Sequence, residues 1–294
     1  MAEFKIGNKW VGDGHPAFIV AEIGNNHNGD LELAKKLIER AGECGADAVK
    51  FQVKDVETAF PKELLDMPYS GPHSFGRTYR EHKLALEFSH AEFAALAEHA
   101  KLVGITFFAT PFERKSLSFL ETLDPPALKI ASFHVHDLDF VADAAALGKP
   151  VVVSTGMSTL EEVDAAVEVL RRSGADFAVL QCTSSYPTDD KDVNLAVIRA
   201  YKERYGCVVG YSGHDRGITI PAASVCFGAK IIEKHFTLDR TMRGTDHACS
   251  LEPKGFAMMV ERTRLIEAAT GSPEKRLLEC ELATKRKNRA RPER

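Results

Sequence analysis

The chain has 294 residues, of which 44% are hydrophobic and 27% are charged, and its formal net charge is −4 at pH 7. These values are typical of a soluble globular protein with one large domain or two small ones. The net negative charge argues against a surface built to bind nucleic acid. No apolar run reaches the ~18 residues of a membrane span, and the N-terminus lacks the apolar core of a signal peptide. The six cysteines form no CxxC pair, so we expect a cytoplasmic protein with reduced thiols and no membrane contact.

Eight short apolar runs, rich in β-branched residues, alternate with segments of helical spacing. The runs cover residues 18–23, 47–53, 105–110, 127–132, 151–155, 177–183, 207–212 and 230–236. Near-continuous apolar runs are typical of parallel strands that are covered on both faces. The alternation therefore predicts an α/β fold, the (β/α)₈ TIM barrel. A doubly wound sheet is the alternative, but the first run is followed by IGNNHNGD and not by a GxGxxG turn.

Helix signals follow several of these runs. Asp30, Ser89 and Ser158 precede helical segments and are predicted N-caps, and Pro253 opens the last long helix. Residues 54–88 form a long insertion, with several prolines and glycines, between the second strand and its helix. An insertion of this size on a barrel is expected to act as a lid or a subunit contact.

The composition changes near the C-terminus, so we predict a barrel domain over residues 1–272 and a basic tail over residues 273–294. The final stretch TKRKNRARPER carries six basic residues and one acidic residue. A segment with this charge and almost no apolar residues is typical of a solvated, disordered tail. Binding of an anionic partner is the less favoured alternative.

Two histidines, His214 and His235, lie where the seventh and eighth apolar runs end. If these runs are neighbouring parallel strands, both imidazoles come out at the same end of the sheet. Imidazole suits a divalent transition metal, and two histidines with oxygen ligands leave positions open for a substrate. Asp246 lies just beyond the second of these strands. For each histidine alone, the alternative is a satisfied polar group in a turn.

Charged and hydroxyl side chains interrupt or follow most of the other runs, towards the C-terminal ends of the predicted strands. Barrel enzymes keep their active sites at this end. An internal ion-pair network, such as Glu22 with Lys50, is the alternative, because buried charges are paired in any case. Since nearly every strand contributes a polar group, we predict a phosphate cradle of cations and hydroxyl donors beside the metal site. The cradle residues are Lys50, Thr110, Lys129, Ser132, Ser154 and Ser212.

Several longer motifs run along the chain. They are AEIGNNHNGDLELAKKLIERA, GADAVKFQ, TPF, LKIAS, STGMS, QCTSSYP, GYSGHDRG and EKHFTLDR followed by GTDHACSLEP. Together these motifs resemble the sialic acid synthase family, the N-acetylneuraminate synthase-like enzymes. The resemblance runs from about Phe18 to about Cys280, essentially the whole predicted barrel. The segment TYREHKLALEFSH is also similar to the corresponding part of the animal enzymes.

The resemblance implies a transferase that condenses phosphoenolpyruvate with the open-chain aldehyde of a hexosamine, giving a 2-keto-3-deoxy sugar acid and phosphate. It implies a homodimer and a divalent metal, Mn²⁺ ahead of Mg²⁺ or Co²⁺, held by His214 and His235. It places phosphoenolpyruvate in the cradle, and Glu22 and Asp246 beside the reacting centres to position water or the aldehyde. The residues implied to face the acceptor sugar are Gln52, Ser184 and Tyr186.

The sequence departs from the family pattern in two places. Family members usually carry an acidic residue after the fourth-strand serine, as in SGE, SGD or SFE, whereas this chain reads ASFHVHD, with His134 in that place. Because the acid lies near the acceptor in the family, we predict that His134 binds substrate and that the acceptor differs from plain N-acetylmannosamine. The alternative is a histidine that packs on its loop or bonds Asp137. Most members also continue into a C-terminal antifreeze-like domain, so a truncated chain and a differently completed acceptor pocket are both open.

Two other functions remain open from the sequence. The first is a metal-dependent pyruvate aldolase or lyase on the same barrel, or a Schiff-base aldolase that would use Lys129 with a lowered pKa. The second is a non-catalytic binding protein. The presence of the whole predicted set of charged residues argues against it. That set comprises Glu22, Lys50, Lys129, His214, His235 and Asp246.

Overall fold

The computed structural model describes residues 2–289. Within them, eight parallel strands close into a barrel in which each strand pairs with its neighbours in the chain and the last pairs with the first. Two further strands form an antiparallel hairpin before the barrel. The hairpin strands are β1 Glu3–Ile6 and β2 Lys9–Gly12, and the barrel strands are β3 Phe18–Gly24, β4 Ala48–Val53, β5 Thr106–Pro111, β6 Leu128–Ile130, β7 Val151–Ser154, β8 Phe177–Cys182, β9 Val208–Gly213 and β10 Ile231–His235.

Helices follow the strands and cover the outside of the barrel, so the predicted (β/α)₈ fold is confirmed, and each barrel strand falls on one of the eight predicted runs. The helices are α1 Leu31–Glu43, α2 Val56–Ala59, α3 Lys62–Leu65, α4 Tyr79–Leu84, α5 His90–Val103, α6 Arg114–Leu123, α7 Leu138–Ala146, α8 Leu160–Ser173, α9 Ala196–Tyr205, α10 Thr219–Ala223, α11 Pro253–Thr270 and α12 Leu282–Arg289. The larger hydrophobic core lies between the barrel and these helices.

The hairpin of β1 and β2 closes the N-terminal end of the barrel, and the sequence did not predict it. Phe4, Ile6 and Val11 are buried and pack against residues at the starts of the barrel strands, among them Phe18 and Ile231. Along β1, exposed and buried residues alternate, as expected for a strand with one solvated face. Apolar side chains therefore fill this end of the barrel, and a polar cavity can open only at the other end.

The helix caps agree with the prediction at two of three positions. Asp30 caps α1, and Ser89 forms a reciprocal capping box at the start of α5. The predicted cap Ser158 is wrong, because Thr159 caps α8 instead. The Thr159 hydroxyl accepts the N–H of Glu162, and the Glu162 carboxylate accepts the N–H of Thr159 in return, which satisfies two free donors at once.

The insertion at residues 54–88 carries α2, α3 and α4, and its two ends are joined by one ion pair. The Glu87 carboxylate accepts the backbone N–H of Lys54 at 3.0 Å and lies 3.5 Å from its ammonium group. Lys54 also donates to Asn25 Oδ1 at 3.2 Å, on the loop after β3. The insertion is thus anchored at the C-terminal end of the barrel. Its use as a lid or a subunit contact stays a prediction.

In the predicted basic tail, residues 282–289 form α12, and none of the α12 side chains is buried. Residues 290–294 of that tail lie outside the described part of the chain. The division into a barrel domain and a tail stays a prediction. Over residues 2–289, no helix combines the length and the apolar character that crossing a membrane requires.

His27 gives the fold an acid-sensitive group. Its ring is 1% exposed and stacks on Phe88 at 4.2 Å, and its Nδ1 accepts the N–H of Gly29. Burial lowers the pKa of His27 to about 3. The unfolded chain binds a proton here near pH 6.5, and the folded chain does not until about pH 3. The stability contributed by neutral His27 is therefore present above pH 6.5 and is lost as the pH falls towards 3.

We expect the variant His27→Gln to lose less stability on acidification than the wild-type protein. Between pH 7 and pH 5 the difference should be about 2 kcal/mol, because each pH unit of such linkage contributes about 1.4 kcal/mol. Urea unfolding at a series of pH values measures it. The control is His136→Gln, which changes an exposed histidine. Equal acid slopes for His27→Gln and the wild type would contradict the assignment.

Candidate active site

A cavity of about 200 Å³ opens at the C-terminal ends of the barrel strands, and every barrel strand contributes a side chain to its wall. It includes every predicted site residue except Asp246 and His134. The residues that line the cavity are Glu22, Lys50, Gln52, Thr110, Phe112, Lys129, Ala131, Ser132, Phe133, Ser154, Met157, Cys182, Ser184, Tyr186, Ser212, His214, Glu233 and His235.

Strand register explains why charged side chains point inwards. His235 pairs with Glu22, and Glu22 pairs with Lys50, across three neighbouring strands. Successive residues of a strand face opposite sides. Glu233, two residues before His235, therefore shares the inner face, and Lys234 between them lies on the outer face.

Two lysines and two glutamates, Glu22, Lys50, Lys129 and Glu233, form what we call the charge cluster. Lys50 Nζ lies 2.6 Å from Glu22 Oε2 and 3.9 Å from Glu233 Oε1, and Lys129 Nζ lies 3.9 Å from the same Glu233 oxygen. Lys50 also donates to Thr110 Oγ1 at 2.8 Å. These four side chains are at most 8% exposed. The Glu22–Lys50 ion pair considered as an alternative from the sequence is thus present, and it forms part of the cavity wall.

The charge cluster does not stabilise the ammonium forms of its two lysines equally. Although burial opposes the ammonium form, Glu22 and Glu233 raise the pKa of Lys50. Burial lowers the pKa of Lys129 and raises the pKa of Glu22. Although burial favours a neutral carboxyl, Lys129 and Lys50 lower the pKa of Glu233. Lys129 is therefore the less compensated cation, and an anionic ligand beside it would stabilise its ammonium form.

Serine hydroxyls surround Gly156 on the other side of the cavity. The N–H of Gly156 donates to Ser132 Oγ at 2.9 Å, and the Ser132 hydroxyl hydrogen-bonds the Cys182 thiol, which lines the same cavity. A Cβ on Gly156 would lie 2.2 Å from Ser184 Oγ and 3.0 Å from Ser132 Oγ, so this position has no room for a side chain. Ser154 Oγ is buried and has no hydrogen-bond partner within residues 2–289. The wall thus offers one hydroxyl, that of Ser154, which the described residues leave unused.

The two predicted histidines lie together, with ring centroids 5.4 Å apart. His214 Nδ1 lies 2.9 Å from the carbonyl oxygen of Thr183. Because a carbonyl only accepts, Nδ1 carries the hydrogen and the lone pair is on Nε2. Burial lowers the pKa of His235, so its ring is neutral. His235 Nδ1 is buried, has no hydrogen-bond partner among the described residues, and lies 4.0 Å from Asp246 Oδ2.

This donor set fits a divalent metal. Neutral imidazoles with free lone pairs suit transition metals, and metal-bound histidines usually donate their other N–H to a carbonyl or carboxylate, as His214 does here. Over residues 2–289, no three His, Cys, Asp or Glu side chains form a ready-made metal cluster. The residues therefore fit a site with two protein nitrogens and further oxygen ligands from water or substrate.

Asp246 approaches the cavity without lining it. Polar atoms of Glu22, Gln52 and Asp246 converge on Gly24, where a Cβ would lie 3.0, 3.2 and 3.5 Å from them. Gln52 Nε2 donates to Glu22 Oε1 at 3.0 Å. Although burial favours a neutral carboxyl, the protonated form of His235, the Thr245 hydroxyl and Lys83 together lower the pKa of Asp246. Asp246 is therefore an ionised acceptor beside the histidine and the charge cluster.

His134 lies outside the cavity wall. Its Nε2 is 2.9 Å from the carbonyl oxygen of Phe112, and its ring stacks on Phe140 at 4.0 Å. Residues Ser132–His134 form a 3-10 turn, and within it Phe133 lines the cavity in place of the histidine. No contact with the cavity supports the predicted substrate-binding role of His134, which stays a prediction.

Some wall residues were not among the predicted site residues, namely Phe112, Ala131, Phe133, Met157, Cys182 and Glu233. The sequence could have indicated Glu233, because it precedes His235 by two residues in a strand and therefore lies on the same face. The apolar residues have no sequence signal that separates them from core residues. Met157 is 69% exposed and has φ +60°, a conformation that non-glycine residues adopt uncommonly.

The mouth of the cavity combines aromatic and polar groups. The Tyr186 ring lies 4.0 Å from the ring of His214, and Ser184 and Gln52 are also in the wall. Phe133 packs on Phe112 at 4.8 Å. The mouth therefore suits a small polar molecule that also has an apolar part, whereas the charge cluster deeper in the barrel suits an anion.

Sequence comparison shows that this chain is similar to known proteins of one family. The NeuB family profile matches residues 37–275. Human N-acetylneuraminate-9-phosphate synthase is 44% identical over 280 residues, which are 95% of this chain and 78% of the human protein. N,N'-diacetyllegionaminic acid synthase of Legionella pneumophila is 39% identical over 284 residues, covering 94% of this chain and 79% of that protein.

Solved structures agree with the sequence comparison. The crystal structure of N-acetylneuraminic acid (sialic acid) synthetase from Leptospira borgpetersenii, in complex with citrate, superposes with a TM-score of 0.87 at 35% identity. The match covers 97% of this chain and 96% of that one. A truncated 3-deoxy-D-arabino-heptulosonate 7-phosphate synthase from Thermotoga maritima, with a TM-score of 0.71 at 15% identity, shares the fold.

We expect Gly156→Ala to weaken binding of phosphoenolpyruvate about tenfold or more while the protein remains folded. The added methyl group displaces Ser132 and Ser184, and a hydrogen bond to a charged ligand contributes roughly 1.5–3 kcal/mol. Calorimetric titration measures the affinity. The matched control is Gly255→Ala in α11, where a Cβ would meet only Leu251 side-chain atoms, at 3.6 Å or more. Unchanged affinity in Gly156→Ala would contradict a role for this serine wall in anion binding.

Proposed function

The chain belongs to the NeuB family, and from this premise we propose that it is a synthase that condenses phosphoenolpyruvate with an amino-sugar aldehyde. The product is a sialic-acid-like 2-keto-3-deoxy sugar acid, and phosphate is released. One observation carries the proposal: a single cavity joins two buried lysines, a group of serine hydroxyls and two histidines with free nitrogen lone pairs. Among these hydroxyls, the buried Ser154 has no hydrogen-bond partner within the described residues.

In this proposal the anion lies in the deep part of the cavity. Lys50 and Lys129 hold the phosphate group, with Thr110, Ser132, Ser154 and Ser212 as hydroxyl donors around the anion. Ammonium groups and hydroxyls together are a common arrangement for phosphate. The uneven compensation of the lysines supports it, because Lys129 gains an anionic partner when phosphoenolpyruvate binds.

The proposed cofactor is a divalent metal, Mn²⁺ ahead of Mg²⁺ or Co²⁺, held by His214 and His235. When bound, it would polarise the aldehyde oxygen of the acceptor as a Lewis acid. The free lone pairs of the two imidazoles support this assignment. Asp246, ionised beside His235, orients the acceptor or a water molecule through its carboxylate oxygens.

The proposed reaction starts with attack of carbon 3 of phosphoenolpyruvate on the aldehyde carbon, which forms the new C–C bond. The aldehyde oxygen gains a proton and becomes a hydroxyl group. Water adds to the electron-poor carbon 2 and gives up one proton, which balances the proton that the aldehyde oxygen gains. The tetrahedral intermediate then expels phosphate, which takes the second proton of the water from the carbon-2 hydroxyl and leaves the 2-keto group. Glu22 can take the proton from water, because burial raises its pKa towards the working range of a general base.

The acceptor is an amino-sugar or sugar aldehyde similar to N-acetylmannosamine. Relatives with the same barrel are named as synthases of N-acetylneuraminate 9-phosphate, N,N'-diacetyllegionaminic acid and pseudaminic acid, which are all acidic amino sugars. The mixed wall at the mouth supports this class. Gln52, Ser184 and Tyr186 offer hydrogen bonds to hydroxyl and amide groups, and Phe133 offers an apolar surface to an acyl methyl group.

Two further parts of the proposal concern the cell and the assembly. We place the protein in the cytoplasm, because all six cysteines are free and scattered thiols suit a reducing compartment. We also propose a homodimer, on the strength of the family resemblance.

The second candidate function is a Schiff-base pyruvate aldolase on the same barrel. The lowered pKa of the buried Lys129 favours it, because a neutral amine is the nucleophile in such enzymes. Borohydride trapping of pyruvate on Lys129 would support the aldolase. The synthase reaction gives no such adduct.

We expect the protein to release phosphate from phosphoenolpyruvate only when an acceptor sugar and Mn²⁺ are both present. A chelator should abolish the release, and added Mn²⁺ should restore it. The acceptor panel comprises N-acetylmannosamine, its 6-phosphate, mannose and diacetamido-hexoses, with inorganic phosphate as the readout. Release that needs no acceptor, or no release with any acceptor, would contradict the proposal.

We expect Lys129→Met to weaken phosphoenolpyruvate binding about tenfold or more, because a charge-assisted contact contributes roughly 1.5–3 kcal/mol. Calorimetry on the metal-free protein measures this affinity without turnover. The control is Lys202→Met, which removes a cation paired with Asp13 at 2.5 Å, remote from the cavity wall. Equal affinities of Lys129→Met and the wild type would rule out the phosphate contact.

A further inference from the structure

A second ion pair lies behind the two histidines, on the outer face of the barrel wall. Lys234 and Asp215 are both 0% exposed, and Lys234 Nζ lies 3.1 Å from Asp215 Oδ1. Lys234 also donates to the backbone carbonyl of Asp215. The Tyr211 hydroxyl donates to Asp215 Oδ1 at 2.6 Å. None of these three residues lines the cavity.

Each member of this ion pair is the chain neighbour of one histidine. Asp215 follows His214 directly, and Lys234 precedes His235 directly. Lys234 pairs in register with Gly213 of β9, so the two strands are adjacent at this level. Because successive residues face opposite sides of a strand, the histidines point into the barrel while Asp215 and Lys234 meet behind it.

The packing around this ion pair leaves little freedom. A Cβ on Gly213 would lie 2.4 Å from Tyr211 Cε1 and 2.6 Å from Asp215 Oδ1, so the chain turns tightly around the carboxylate. On the loop after β8, the N–H of Thr188 donates to the carbonyl of His214 at 3.1 Å. The backbone is therefore closely packed before His214 and hydrogen-bonded at the His214 carbonyl group.

Stability alone explains such an ion pair poorly. Removing two charges from water costs several kcal/mol for each ion, and apolar residues of similar volume often give equal or greater stability. The location of the ion pair suggests another reason for its presence. It joins the two strands at the residues beside the metal-ligand candidates.

We propose that Lys234 and Asp215 are positioning residues that set the separation and the orientation of the His214 and His235 imidazoles for one divalent cation. The inference rests on the proposed metal site. The ion pair connects β9 and β10 from outside, so that the two rings stay 5.4 Å apart on the inside. Groups that orient metal ligands typically change metal affinity 10–100-fold when they are altered.

The test compares Mn²⁺ binding by calorimetry in four variants and the wild type. Lys234→Met and Asp215→Asn each break the ion pair, and the double variant removes both charges, so that no unpaired charge stays buried. Lys230→Met is the matched control, since it makes the same substitution just before β10, at the opposite end of the barrel, where Lys230 donates to the His15 carbonyl at 2.7 Å. Urea unfolding reports the stability of each protein.

We expect the double variant to fold and to bind Mn²⁺ at least tenfold more weakly than the wild type, while Lys230→Met binds it normally. If the double variant does not fold, Asp215→Asn, which keeps the shape of the side chain, should show the same loss. A folded ion-pair variant with wild-type Mn²⁺ affinity would overturn the inference.

Imidazole NMR of the metal-free proteins separates this inference from the metal proposal. The ring signals of His214 and His235 should shift in the double variant and stay in place in Lys230→Met. If the wild-type protein binds no Mn²⁺, the proposed metal site fails, and shifted ring signals would still support positioning by the ion pair. Unchanged ring signals in the double variant would overturn positioning whether or not Mn²⁺ binds.

Discussion

Four ionisable side chains enclosed in one barrel must compensate one another, because almost no water reaches them. The charge cluster balances two lysines against two glutamates, and Glu233 is shared between Lys50 and Lys129. An anionic ligand that joins this cluster stabilises the ammonium form of Lys129 but also adds negative charge, which a further cation has to offset. In the proposed function that cation is the metal on His214 and His235, so the two halves of the cavity depend on each other electrostatically.

The fold separates an apolar end of the barrel from a polar one. The N-terminal hairpin and the first residues of the strands fill one end with hydrophobic side chains. Above this apolar layer, charged residues line the inside of the barrel, at Glu22, Lys50 and Lys129. Since the apolar layer excludes water from below, the charges above it interact in a medium of low polarity, and small changes in ligand charge have large effects there.

Much of the site was predictable because side chains alternate strictly along strands. Given eight strands, the inward direction of Glu22, Lys50 and His235 follows from the register. The sequence could not show that the 3-10 turn after β6 directs His134 towards Phe112, because loop conformation depends on tertiary contacts. The hairpin was missed because two four-residue strands give too short a pattern. The Lys234–Asp215 pair was missed because nothing in the sequence says that two charged residues will meet on the outer face of the barrel.

The most direct test of the account is a crystal structure of the protein with phosphoenolpyruvate bound. We expect a phosphate group within ion-pair distance, about 4 Å, of both Lys50 Nζ and Lys129 Nζ, with the serine hydroxyls near Gly156 around the anion. We also expect carbon 3 of the ligand to face the side of the cavity that holds His214 and His235. A ligand bound elsewhere, with Lys129 left facing only Glu233, would contradict the central claim that the charge cluster is the anion site of a synthase.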